Sequence, residues 1–184
     1  MSNAKVQGQF QAPLADPASD AVDHIVAQWQ REMPGLESDN MILFGRLKRC
    51  TALLQARLDT VFAEHGLNAA SFDVLATLRR AGKPYYLTPT ALFESLMVTS
   101  GTMTNRLQRL EEKGFIQRQP NPEDARSQLV QLTPRGKALI EKAVVPHVEN
   151  EGMILDQLPP RTRQQLEDGL KVLMKVLEAR SSPT

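Results

Sequence analysis

At 184 residues the chain is long enough for one domain of ordinary size with appended helices. A hydrophobic share of 41% and a charged share of 23% belong to a globular protein and exclude a disordered one. A formal net charge of +1 excludes a strongly basic overall field, so any surface for a polyanion has to be local.

Residues 1–19 contain Gln, Ala and Pro without periodicity and predict a flexible N-terminal arm. Residues 20–66 read as N-terminal helices with a ligand or dimer role. Asp20 caps the first, in which Val22, Ile25, Val26, Trp29 and Met33 share one side, and Pro34-Gly35 ends it. The second, from about Ser38 to His65, carries a near-heptad seam of Met41, Phe44, Leu47, Leu54, Leu58 and Phe62. Its length suits packing on a partner helix or a second subunit. Cys50 lies beside this seam and reads as a buried small hydrophobe.

Residues 67–133 hold the stretch with chemistry in it. Asn68 caps a helix over Ala69 to Ala81, with Phe72, Leu75 and Leu78 facing the core. Asp73, Thr77 and Arg80 fall at i, i+4, i+7 as a polar stripe. Gly82-Lys83-Pro84 breaks this helix, and Tyr85 to Leu87 predict a short strand. Thr88 caps a shorter helix with Pro89 in its first turn. A turn around Val98-Thr99 leads to a second helix, Thr99 to Lys113, which Gly114 stops. Met103, Leu107 and Leu110 form its apolar stripe; Gly101, Asn105, Gln108 and Glu112 lie opposite, with Thr102, Thr104 and Arg109 on the flanks. Two strand-like runs follow, Phe115 to Gln119 and Ser127 to Leu132, separated by a turn over Pro120 to Arg126. Helix, short turn, helix and hairpin make a winged helix-turn-helix. The expected fold is mainly α with a small β-wing.

Residues 134–184 predict C-terminal dimerisation helices. Thr133-Pro134 opens one that runs to about Leu158 across Pro146. The last, about Arg161 to Arg180, has Leu166, Leu170, Leu173, Met174 and Leu177 on one face. Helices at both ends of the winged unit together suit a two-fold homodimer. Such a dimer presents two reading helices to the half-sites of a palindromic operator.

The outward face of the Thr99–Lys113 helix is small, hydrogen-bonding and cationic, where a merely soluble helix shows Glu/Lys alternation. Asn, Gln and Arg contact base edges, and small hydroxyl residues let the backbone approach phosphate. The expected contacts to double-stranded DNA are Thr99, Ser100, Thr102, Thr104, Asn105 and Arg109, with Arg126 near the wing tip braced by Asp124. The alternatives are an ordinary surface helix and a surface ion pair of little value. His24, His65 and His147 have no metal-site spacing, and no nucleophile motif, phosphate loop or carboxylate pair is present. No metal, cofactor or enzymatic activity is expected. One cysteine and no long apolar span point to a cytoplasmic protein without a membrane partner.

The segments LTPTAL, SGTMTNRLQRLEEKGFI, PEDARS and VQLTPRGKAL resemble the MarR family of bacterial transcription regulators. FDVLATLRRAG followed by PYYLTPTAL and VTSGTMTNRL is similar to its urate-responsive branch, which carries an extra N-terminal helix with a tryptophan. The resemblance implies a repressor that leaves DNA on binding urate or a related purine. It assigns ligand or coupling roles to Trp29, Asp73, Arg80, Arg106 and Arg118. By pattern alone, Asp73 and Arg80 read first as a solvated surface pair, and Trp29 as a core anchor. Arg106 lies between the apolar stripe and the outward face and can turn towards Asp73, so a ligand anion near Asp73 would loosen the reading helix. A phenolic or other aromatic carboxylate suits the same residues. A winged-helix module that binds protein without DNA is the rival of another class, favoured only by the low net charge.

Overall fold

The structure, a computed structural model, describes residues 19–96, 103–122 and 124–179, with the side chains of Met103, Ala125 and Arg126 outside that description. The elements are α1 (Ala21–Glu32), α2 (Asn40–Glu64), α3 (Ala69–Arg80), β1 (Tyr86–Leu87), α4 (Pro89–Ser95), α5 (Met103–Glu112), β2 (Ile116–Asn121), β3 (Asp124–Leu132), α6 (Pro134–Leu155) and α7 (Pro160–Ala179). The chain divides into two compact units, residues 1–55 and 56–184, with the boundary inside α2.

In the first unit, Asp20 opens α1 with a reciprocal cap. Its Oδ1 accepts from the Val22 and Asp23 amides at 2.7 and 3.1 Å, and Asp23 Oδ2 accepts from the Asp20 amide at 2.9 Å. Arg46 of α2 clamps both carboxylates, donating to Asp20 from Nε and to Asp23 from Nη2, each at 2.7 Å. That guanidinium, with the Asp23 amide, lowers the Asp20 pKa to about 2. A depressed carboxyl pKa contributes stability that is complete above its ordinary value of 3.8 and is lost as pH falls through about 2. Acid titration of the wild-type chain is therefore expected to loosen α1 between those pH values. Asp20→Asn should flatten that part of the profile, read by Trp29 fluorescence.

Val22 and Val26 are the buried residues of α1. Gly45 admits Val22, since a Cβ there would lie 2.7 Å from Val22 Cγ1. Burial stops after this first half of the helix. Ile25, Trp29 and Met33, expected on the same apolar side, are 50%, 41% and 51% exposed. Cys50 is exposed, contrary to the expectation of burial, because residues 48–54 of α2 are all exposed.

The second unit is built around α3, which packs on α4, α5, α6 and β3. Its Phe72, Leu75 and Leu78 meet Phe62, Leu92, Leu107, Leu110, Ile116, Val130 and Ile140 in one core. The polar stripe of α3 descends into that core: Asp73 is half-buried, Thr77 is 1% exposed and Arg80 is exposed. The caps fall where the side-chain chemistry predicts. Asn68 accepts from the Ser71 amide at 2.9 Å, Thr88 from the Ala91 amide at 3.1 Å, and Gly114 ends α5 at φ +70°.

The three strands form an antiparallel sheet in the order β1-β3-β2. The wing is longer than expected. Pairing reaches Asn121 and Asp124, so the expected turn over Pro120 to Arg126 is mostly strand. Pro120 fits because β2 is an edge strand, where a missing amide costs no ladder bond. At the base of the wing, Thr133 Oγ1 donates to the Gly114 and Phe115 carbonyls at 2.8 and 3.1 Å. The same oxygen accepts from the Gly136 amide at 3.0 Å. One hydroxyl thus joins the end of α5 to the start of α6.

α6 is held to α3 by Glu141, which takes Arg79 at 2.8 Å and Lys137 at 3.0 Å; both cations also lie over the Tyr85 ring. Lys137 first and Arg79 second keep the Glu141 carboxyl below its ordinary pKa. α7 buries no residue, and Leu166, Leu170, Met174 and Leu177 are exposed along it. Among the described residues, no helix is long and apolar enough to cross a membrane, and no group of three potential ligands suits a metal ion.

Candidate functional site

α5 has the two faces that its spacing predicts. Leu107 and Leu110 are buried at 4% and 1% exposure, whereas Thr104, Asn105, Gln108, Arg109 and Glu112 are exposed. Gln108 Nε2 donates to Glu112 within the helix at 3.0 Å. Asn105 and Arg109, one turn apart, present an amide and a guanidinium on one exposed face. Thr99, Ser100 and Thr102 lie outside the described residues, as does the side chain of Arg126, whose backbone belongs to β3.

Arg106 differs from its neighbours. It is half-buried, and its Nη1 is buried without a hydrogen-bond partner. A guanidinium nitrogen in that state is costly and marks a place where an acceptor belongs. Its edge position on α5 allows this half-burial, where Asn105 and Arg109 are exposed. Arg80 donates from Nη2 to the Ser95 carbonyl at the end of α4. It braces the C-terminal end of α4. Asp73, Arg80, Arg106 and Arg118 all belong to the second unit, and Trp29 belongs to the first.

A cavity of about 440 Å³ opens between α4, α5 and the two wing strands. Pro89, Thr90, Phe93, Thr104, Leu107, Arg118 and Gln128 line it. Among the described residues its walls are largely apolar, with two hydroxyls, one amide and the guanidinium of Arg118. The depression is open to solvent, with Leu107 its one buried lining residue among those described, and the guanidinium of Arg118 offers a place for an anionic group. Thr104, expected at DNA, lines this cavity while remaining exposed on α5.

Arg118 is held by Glu111 of α5, which does not itself line the cavity. Its backbone amide donates to Glu111 Oε1 at 3.0 Å, and its Nε lies 3.5 Å from Glu111 Oε2. Sequence reasoning assigned no role to Glu111, Phe93, Thr90 or Gln128. Glu111 sits beside Glu112 and reads as one of two solvated acids. Only the reversal at Gly114, which folds β2 back along α5, brings it to Arg118.

The model of the MarR family matches residues 67–128. The HTH-type transcriptional regulator PecS of Dickeya dadantii is 43% identical over 145 residues, 79% of this chain and 87% of PecS. A mutant MarR from E. coli complexed with operator DNA superposes with a TM-score of 0.63 at 28% identity, covering 84% of this chain and 99% of that one. BpsR of Bordetella bronchiseptica, solved to explain regulation of its DNA binding by 6-hydroxynicotinic acid, superposes with a TM-score of 0.62 at 26% identity. That match covers 72% of this chain and 98% of BpsR.

Proposed function

Because the chain belongs to the MarR family of DNA-binding transcription regulators, we propose that it is a repressor released from its operator by a small aromatic anion, urate or a related purine first. The observation that carries the reading is that α5 supplies both surfaces. Its exposed Asn105 and Arg109 suit base edges and phosphate, and its Thr104 and Leu107 form a wall of the cavity. A ligand seated there touches the reading helix itself. The resemblance of FDVLATLRRAG, PYYLTPTAL and VTSGTMTNRL to the urate-responsive branch supports the urate class. The half-buried Asp73 and the buried Nη1 of Arg106 suit the coupling expected between α3 and α5.

A second reading is favoured by the cavity. With Arg118 the one cation among the described residues that line it, the cavity suits an aromatic monocarboxylate, and the related BpsR is regulated by 6-hydroxynicotinic acid. Homodimerisation is supported by α7. A helix of 20 residues that fully buries none of them, with Leu173 alone half-buried, gains little from packing, so its apolar face suits a second copy of the chain. A dimer would set two copies of α5 on a pseudo-palindrome.

The deciding experiment is fluorescence anisotropy on the chain's own promoter DNA, titrated with urate and, separately, with 6-hydroxynicotinate. Asp73→Ala is measured in parallel. Release by urate that Asp73→Ala blunts supports the urate reading. Release only by 6-hydroxynicotinate moves the assignment to aromatic carboxylates. Specific DNA affinity that falls steeply with added salt separates both from a protein-binding module. Absence of DNA binding at low salt would overturn the repressor.

A further inference from the structure

The bond between Glu111 and Arg118 has two unequal arms. The backbone amide of Arg118 donates to Oε1 at 3.0 Å, an ordinary hydrogen bond. The guanidinium arm is 3.5 Å from Oε2, beyond the 2.7–2.9 Å usual for a charge-assisted bond. Both side chains keep solvent contact, at 38% exposure for Glu111 and 30% for Arg118. The guanidinium is therefore loosely held, while the strand carrying it is pinned at the backbone. Arg118 also lines the cavity, where it is the cationic member. Glu111 belongs to the last turn of α5, so this contact joins the reading helix to the first strand of the wing.

We infer that Glu111 is a positioning residue that competes with the ligand anion for Arg118 and so sets the ligand concentration to which the protein responds. The inference rests on the cavity as the ligand site proposed above. An anion entering between Thr90 and Thr104 meets a guanidinium already facing a carboxylate. One cation cannot satisfy two anions at full strength, and the long arm yields first. The short backbone arm stays, so β2 does not leave the helix. What changes is the charge on the last turn of α5: Glu111 loses its cation and is repelled by the new anion. Ligand binding and the setting of α5 against the wing are thereby linked, each biasing the other by the same factor.

Glu111→Gln tests this directly. Glutamine keeps an acceptor oxygen for the Arg118 amide and removes only the charge. Calorimetric titration of the full chain with urate and with 6-hydroxynicotinate is expected to show the probe that binds wild type binding Glu111→Gln about two- to five-fold more tightly, the range of a partly exposed ion pair. Saturating probe should also weaken DNA binding less in Glu111→Gln than in wild type, because the repelled carboxylate is gone. In an Arg118→Ala background the Glu111→Gln change should leave probe affinity unmoved. Glu111→Asp, with charge retained, should return towards wild-type coupling. A merely structural Glu111 would lower melting temperature without tightening the probe. Equal probe affinity in wild type and Glu111→Gln overturns the inference while leaving the ligand site standing. A gain that persists without Arg118 overturns it as well. Wild-type protein that binds neither probe at millimolar concentration overturns the cavity as the ligand site, and the inference with it.

Discussion

Gly136→Ala is expected to destabilise the second unit by about 3 kcal/mol or more, the range of severe overpacking in a core. A Cβ at position 136 would lie 2.0 Å from the Phe115 carbonyl oxygen and 2.8 Å from its carbon. Those are backbone atoms, and they cannot swing aside as a side-chain tip can. The glycine is buried in the first turn of α6. Phe115 is also fixed from the other side, because its carbonyl accepts from the Thr133 hydroxyl and amide. Relief therefore requires either the start of α6 or the start of the wing to move. A chain of this size loses roughly 2–4 °C of melting temperature per kcal/mol, so a fall of about 10 °C is expected. Thermal and denaturant melts check it. A loss under about 1 kcal/mol would mean that α6 does not pass this close to Phe115.

Arg109→Ala is expected to reduce affinity for operator DNA by about 10- to 100-fold with little change in melting temperature, from the usual worth of a base or phosphate contact by arginine. The residue is exposed on α5, one turn from Asn105, and packs into no core. Its loss therefore acts on binding and not on folding. Arg109→Lys tells the two kinds of contact apart. Lysine restores most affinity if the partner is phosphate, and little if the partner is the bidentate edge of guanine. The salt slope gives an independent reading: removing one phosphate contact lowers it by about one unit. Unchanged DNA binding in Arg109→Ala would remove α5 from the interface. The salt dependence of the wild-type protein would then decide whether DNA binds elsewhere on the chain.

The periodic segments were legible in the sequence because local chemistry decides them. Asp20, Asn68, Thr88 and Thr133 each place a side-chain oxygen over the first turn of a helix, and the helices begin there. Leu107 and Leu110 face inward because their spacing allows nothing else in an amphipathic helix. The wing was underestimated because Pro120 reads as a turn residue, while its place on an edge strand is a property of the whole sheet. Burial on α1 and α2 was overestimated for a related reason. An apolar stripe states that a face wants cover, not that this chain supplies it; Trp29 and Cys50 are exposed as a result. The cavity was invisible for a third reason. Its lining comes from α4, α5 and both wing strands, and the pairing of Glu111 with Arg118 depends on a chain reversal that no spacing rule encodes.

The hydroxyl of Thr133 has a consequence for how the wing can vary. It bonds to the carbonyls of Gly114 and Phe115, so the excursion from Phe115 to Leu132 leaves and returns through a single closed neck. The ends of α5 and α6 are tied to each other there and not through the hairpin. Residues added between Asn121 and Asp124 would lengthen the reach of the hairpin without passing any displacement back to either helix. Doubling a loop adds only about 0.6 kcal/mol of closure entropy. The hairpin is thus a replaceable tip on a fixed mount. Its length between Asn121 and Asp124 is free to drift between relatives, while Ile116, Val130 and Leu132 hold the base of the hairpin in the core and the helix that carries Asn105 and Arg109 keeps its seat.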